Sequence, residues 1–255
     1  MITCMQTHQP RTPRQDRSIA TKRQLFQSAL ELFAEEGYPH TTTKKIAARA
    51  GIAVGSFYAY YTNKKAVFLE VIRYYYGRIT DEVFGDFPEV GLPAESGRAS
   101  GIEGAAAAEG NRAAGQGSRA AGRGGEAAAR ENRAAELSPR DYLAVLLRRL
   151  YEAHDISPQL HREITGMRYT DPDVDRLLHE EEHKTIVRVQ GVLESLQPVL
   201  EVTDTEAAAH VVHRSAEELI HSIKIFGAPV EPERLLSELE RMLSRYLFGV
   251  AHPDS

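Results

Sequence analysis

Tryptophan is missing from the 255 residues, cysteine occurs once, and no apolar run approaches the length of a membrane span. Each absence removes a class of protein. Cys4 alone cannot form an intramolecular disulfide, nor supply the cysteine ligands of a structural zinc site. A bilayer-crossing helix needs ~20 consecutive apolar residues, so no membrane partner is expected. The first twenty residues are polar and basic and lack the apolar core of a secretory signal. The alternation of apolar and polar residues that marks a strand is absent, which points to an all-α chain. No glycine-rich phosphate loop or nucleophile triad stands out, so no cofactor is expected and the chain does not read as an enzyme. The expected location is cytoplasmic.

Eight Phe and eleven Tyr supply a core. The net charge of −5 conceals a split. Residues 1–80 carry twelve Lys or Arg against five Asp or Glu; residues 81–255 carry nineteen against thirty-one. A basic functional head on an acidic body is the natural reading.

Composition divides the chain further. Residues 1–17 read as a basic flexible arm, with Pro10 and Pro13 opposing early helix and Arg11, Arg14 and Arg17 available for phosphate or minor-groove contact. A solubilising tail explains the same arm equally well. Residues 18–63 form a compact helical head and 64–90 a connecting helix. In 91–136, Gly and Ala fill 25 of 46 positions, and Leu92 and Ile102 are the only large aliphatic residues. Such a segment cannot bury enough apolar surface to offset its ordering entropy, so a disordered insert is expected.

Residues 137–250 read as a helical body. Ser138-Pro139, Ser157-Pro158 and Asp171-Pro172 each set a capping side chain before a first-turn proline. Thr203-x-x-Glu206 has the form of a capping box, and Glu231-Pro232 follows a Gly-Ala-Pro break. The spacing predicts helices over 139–155, 158–169, 172–197, 204–226 and 232–249.

In the head, Phe26, Ala29, Leu30 and Phe33 recur at helical spacing, and Gly37 ends that helix. Threonines 41–43 precede a short helix over about 43–50 whose apolar side is Ile46, Ala47 and Ala50. Gly51 can adopt the positive φ of a tight turn, and a second short helix follows over about 53–60. Two short helices joined by a glycine turn make a helix-turn-helix, whose second helix enters the DNA major groove.

These residues resemble the TetR family of bacterial transcriptional regulators. The likeness is carried by Thr42-Thr43, Ile46-Ala47, Ala50-Gly51-Ile52, Gly55-Ser56-Phe57-Tyr58, Tyr60-Tyr61 and Asn63-Lys64. It implies an N-terminal three-helix head, an all-helical ligand-binding and dimerising body, and a two-fold dimer paired through the last two helices. A 46-residue insert departs from the family's compact connection.

The expected contacts follow from residue chemistry. Thr42, Thr43, Lys44 and Lys64 are candidates for phosphates. Val54, Gly55, Ser56, Tyr58, Ala59 and Tyr60 occupy the start and exposed side of the recognition helix. Hydroxyls can reach phosphates or base edges, Val54 and Ala59 can touch thymine methyls, and Gly55 permits close approach. Phe57 and Tyr61 point into the core. Without Arg, Asn or Gln on that helix, specificity rests on apolar contacts, Tyr hydroxyls and DNA shape.

In the body, Tyr75, Ile79, Tyr142, Leu146, Leu150, Ile164, Met167 and Tyr169 are candidates for lining a chiefly apolar cavity. A small hydrophobic or aromatic effector would enter it and release the protein from its operator, a repressor's logic. Val212, Leu219, Ile223 and Phe226, with Leu235, Leu239, Met242 and Tyr246, are candidates for the dimer interface. The expected partners are double-stranded operator DNA, a small-molecule effector and a second copy of the chain.

One pattern competes. His179-Glu180-Glu181-Glu182-His183 has the H-E-x-x-H form of zinc hydrolases. Both intervening positions are Glu, as on a solvated acidic face, and no third ligand is identified, though His210, His213 and His221 on another helix could approach; no metal site is therefore assigned. A zinc hydrolase, or an architectural DNA binder without an effector, is the alternative.

Overall fold

The computed structural model describes residues 13–85, 137–155 and 157–250. The 91–136 insert and residues 1–12 of the arm lie outside the described residues. No strand occurs among those described. Contacts divide the chain into a head ending at Val71 and a body beginning at Ile72.

The head contains α1 (Pro13–His40), α2 (Thr43–Arg49), α3 (Val54–Phe57) and the first turns of α4 (Lys64–Phe84). Helix therefore starts at Pro13, and 13–17 of the expected arm is helical; a proline is at home in a first turn, where its missing N–H costs nothing. Gly37 breaks α1 with φ 81°. Beyond the break, the buried Thr41 hydroxyl donates to the Gly37 carbonyl at 2.8 Å. Leu25, Phe26, Ala29, Leu32 and Phe33 of α1 are buried, as are Val67, Phe68 and Val71 of α4. Phe33 meets Phe68 edge-on, with ring centroids 4.9 Å apart. The start of α4 thus belongs to the head's core, and the head closes at Val71 rather than at the expected residue 63.

The body contains the rest of α4, α5 (Pro139–Ala153), α6 (Pro158–Arg168), α7 (Pro172–Ser195), α8 (Thr205–His221) and α9 (Pro232–Phe248). A 3₁₀ turn, Gln197–Val199, follows α7, and a π-helical turn, Ser222–Phe226, extends α8. Ala208, Ala209 and Ala216 keep one face of α8 narrow, so that it sits in a core with Leu143, Leu147, Ile186, Leu193, Leu239, Leu243 and Leu247. The Arg140 guanidinium donates to the Phe248 and Gly249 carbonyls, both at 3.0 Å, fastening α5 to the end of α9.

Capping departs from expectation in two places. Ser138 and Asp171 accept from backbone N–H groups of the following turn, but Ser157 makes no such bond. The cap of α8 is Asp204, accepting from Ala207 at 2.9 Å, in place of the Thr203 box. A carboxylate one residue on is the stronger acceptor and favours the helix's positive end.

Candidate nucleic-acid interface and effector cavity

In the head, Thr42 caps α2 by accepting from the Lys45 amide at 3.2 Å. Ion pairs hold α2 to α1: Lys45 to Glu36 at 2.5 Å and Arg49 to Glu35 at 2.7 Å. Gly51 then turns the chain with φ 68°, and Ile52 N–H bonds back to the Ala47 carbonyl at 3.0 Å. The second helix is shorter than the expected 53–60. Only Val54–Phe57 is α-helical, and Tyr58 to Tyr60 continue as turns because the chain must bend into α4. Phe57 and Tyr61 are buried, which fixes the opposite side outward.

That outward side carries Val54, Gly55, Ser56, Tyr58 and Ala59, with Thr42 and Lys44 exposed and Thr43 half-exposed on α2. Tyr58 is 55% exposed, and its hydroxyl shares a 3.2 Å hydrogen bond with that of Thr43, joining the two helices across the presented face. A side chain at Gly55 would meet nothing within 4 Å, so the fold itself makes no demand for glycine there. Tyr60 and Lys64 stand apart. Tyr60 turns its hydroxyl toward Ser18 at 3.4 Å, and the Lys64 ammonium donates to the Tyr38 carbonyl at 2.6 Å while lying over the Tyr38 ring. Asn63 caps α4 by accepting from Ala66 at 2.9 Å.

In the body, a cavity of about 520 Å³ has two kinds of wall. Ile79, Val83, Phe84, Leu150 and Leu178 supply apolar surface; Arg168, Glu182, His213, Arg214, Glu217 and His221 supply charge and imidazole. Apolar surface is still the larger share, as expected; the charged and imidazole wall beside it is what the expectation left out. Glu182 is clamped by Arg168 at 2.5 Å and Arg214 at 2.9 Å. Burial opposes its charge, but the bonds and charges of the two arginines outweigh that and hold its carboxyl below the usual range.

Of the eight candidate lining residues, Ile79, Leu150 and Tyr169 reach this cavity. Tyr142 and Leu146 line a narrow apolar cleft of about 80 Å³, together with Leu150. Tyr75 and Ile164 are buried, and Met167 lines neither space. The reason lies in the phase of α6, which directs Thr165, Arg168 and Tyr169 to the cavity and Ile164 to the core.

Sequence reasoning missed the polar wall. Its signal was His213, Glu217 and His221 at four-residue spacing, one stripe of α8. Beside that stripe lie His154 and His161, both buried. Burial, then repulsion from His154 and His221, pushes the His161 imidazole down to about 3.

The H-E-x-x-H segment assembles no ligand set. His179 and His183 are exposed on α7; His179 Nδ1 lies 3.1 Å from Asp175, and the intervening Glu182 is spent on arginines. Glu181 is buried and paired with Lys184, so the segment is not wholly a solvated face.

Along α9, Leu236, Leu239, Leu243 and Leu247 face inward. Leu239, expected at the dimer interface, is 3% exposed and belongs to the protomer's own core, because it falls in phase with Leu236 and Leu243. Phe226 (67%), Met242 (51%) and Tyr246 are exposed; Val212, Leu219, Ile223 and Leu235 are half-buried.

Two short helices about a left-handed glycine, carried with a separate all-helical body, define a helix-turn-helix DNA-binding regulator. The chain belongs to the TetR family of bacterial transcriptional regulators. Residues 25–71 match the family described as bacterial regulatory proteins, tetR family, and residues 138–247 match the tetracyclin repressor-like C-terminal domain. An uncharacterized HTH-type transcriptional regulator, YuxN, of Bacillus subtilis is 39% identical over 54 residues, 21% of this chain and 19% of that protein. The fatty acid metabolism regulator protein of the same organism is 32% identical over 66 residues, 26% of this chain and 34% of that protein. The chain thus matches about a third or less of the length of these two curated relatives. Thermus thermophilus FadR, a repressor solved with lauroyl-CoA, superposes with a TM-score of 0.57 at 18% identity, covering 92% of this chain and 98% of that one. Regulators of this family bind operator DNA and small-molecule effectors, dimerise, and are generally not enzymes. No helix among the described residues is long and apolar enough to cross a membrane.

Proposed function

We propose that this chain is a homodimeric, non-enzymatic repressor that reads a near-palindromic operator and releases it when an effector fills the body cavity. The observation that carries the reading is the exposed face of α2 and α3, where Thr43 and Tyr58 are joined and Gly55 is left open. Thr42, Thr43, Lys44, Val54, Gly55, Ser56, Tyr58 and Ala59 make the contacts, and Tyr60 and Lys64 position the face from behind. A single short helix reads few base pairs, so two copies are needed for two half-sites. Phe226, Met242 and Tyr246, exposed on the π turn and α9, are the apolar surface offered to the second copy.

The effector is amphipathic: an apolar portion against Ile79, Val83 and Leu178, and a polar group at the Arg168–Glu182–Arg214 cluster. The fatty acid regulator among the relatives, and the lauroyl-CoA complex of Thermus thermophilus FadR, support that class.

The test is band-shift titration with the DNA upstream of the chain's own gene against shuffled DNA of equal length. Tyr58→Ala is expected to weaken specific binding about 10-fold or more, the order of one lost base or phosphate contact, with the dimer intact in sedimentation. Equal affinity of the wild type for both DNAs would overturn the reading.

A further inference from the structure

Three histidines from three helices meet in the body. His154 stands at the end of α5, His161 in the first turn of α6 and His221 at the end of α8, and one ligand nitrogen from each lies within 4.8 Å of the others. The rings are in contact: His154 stacks on His161 at 4.9 Å, and His161 meets His221 edge-on at 4.6 Å.

The outer nitrogens are already held. His154 Nδ1 bonds the Leu150 carbonyl at 2.7 Å, and His161 Nδ1 bonds the Tyr75 hydroxyl at 3.2 Å. A donated Nδ1–H leaves the lone pair on Nε2, the arrangement that orients a metal-binding imidazole. The Nε2 atoms of His154, His161 and His221 are all buried without a hydrogen-bond partner. Glu217 brings Oε2 to 3.3 Å from His154 Nε2 and 3.1 Å from His221 Nε2, near enough to pair but out of line for an N–H···O bond. His154 and His161 are essentially inaccessible to solvent. Leaving the His161 Nε2 atom without any partner costs about 1–3 kcal/mol, a cost that a shared cation removes.

We propose that His154, His161 and His221, with Glu217 as the carboxylate ligand, bind a first-row divalent transition ion of the zinc type. Three neutral imidazoles and a carboxylate suit that ion in chemistry and number. Zn–N bonds of ~2.1 Å put tetrahedral ligands about 3.4 Å apart, so the set closes by rotamer adjustments of about an ångström. The assignment differs from the sequence expectation of no metal, and it uses none of the H-E-x-x-H segment. Glu217 and His221 also line the large cavity, so ion and effector draw on the same two side chains. The proposal does not depend on operator recognition.

The experiment is calorimetric titration of the chelator-treated, dialysed full-length chain with Zn²⁺, repeated with Co²⁺ while following visible absorption. A single ion per chain bound below micromolar, with the intense bands of four-coordinate Co²⁺, is expected. His161→Gln and His221→Gln should each weaken binding at least ~100-fold, beyond the loss typical of outer partners alone. A His179→Ala/His183→Ala double variant should bind as the wild type does. Circular dichroism checks folding; should His161→Gln fail to fold, His221→Gln, at a half-buried position, decides the matter. Absence of sub-micromolar binding by the wild type would overturn the assignment, as would binding undiminished in His221→Gln.

Discussion

In the head, the residues singled out for function are mostly outside and the interior is aromatic; in the body, the charged groups of consequence are inside. Thr42, Lys44, Gly55, Ser56 and Tyr58 are exposed over a core of Phe33, Phe57 and Phe68. Arg168, Glu182 and Glu217 are mostly shielded from solvent, while His154 and His161 are buried, on helices far apart in sequence. The head can therefore change its reading surface with little effect on folding. In the body, a change to a functional side chain is also a change to stability.

The sharpest way to test this contrast is Gly55→Val. Nothing in the chain stands within 4 Å of the new Cβ, so the thermal midpoint should hold within a degree or two, while the added bulk blocks DNA approach. Operator affinity is expected to fall ~100-fold, about 2.7 kcal/mol, in band-shift titration. A variant that binds as the wild type does would remove Gly55 from the interface.

Glu182→Gln should do the reverse. Removing the carboxylate leaves Arg168 and Arg214 without their shared partner, at an expected cost of roughly 1–2 kcal/mol in urea denaturation. The folded carboxyl lies below its usual value, so this stabilisation is present above the unfolded pKa of ~4.3 and is lost as pH falls through the folded one. The gap between wild type and variant should therefore close in acid. A gap that persists there would mean the effect is packing rather than charge.

A smaller pair of changes separates capping by pattern from capping by geometry. Asp171→Ala removes an acceptor for two backbone N–H groups and should cost about 1 kcal/mol. Ser157→Ala removes no cap bond and should be close to neutral in the same urea experiment. Equal losses would show that Ser157 caps α6 in solution.

The same contrast explains which features are legible in the sequence. The all-α class, the five body helices and the helix-turn-helix are legible because each is written over a few neighbouring residues: Gly51 after Ala47 and Ala50, or a capping side chain before Pro139, Pro158 or Pro172. The cavity is not, since its wall depends on which face of α6 meets α8, and one step of helix phase separates Ile164 from Thr165. Leu239 falls to the same ambiguity: periodicity identifies an apolar stripe but not whether the protomer or a second copy covers it. The histidine cluster needs three helices to be brought together before its members become neighbours.

Two arginines fix the stretches on either side of residues 86–136. Arg188 donates to the Phe84 carbonyl at 3.4 Å and lies over the Phe84 ring, while Arg140 grips the end of α9. With both flanks fastened to the body by their own bonds, the register of α4 and α5 does not hang on how many residues join them. Each flank therefore carries its own anchor, so that cutting Arg188 or Arg140 should loosen one helix end and leave the other in place.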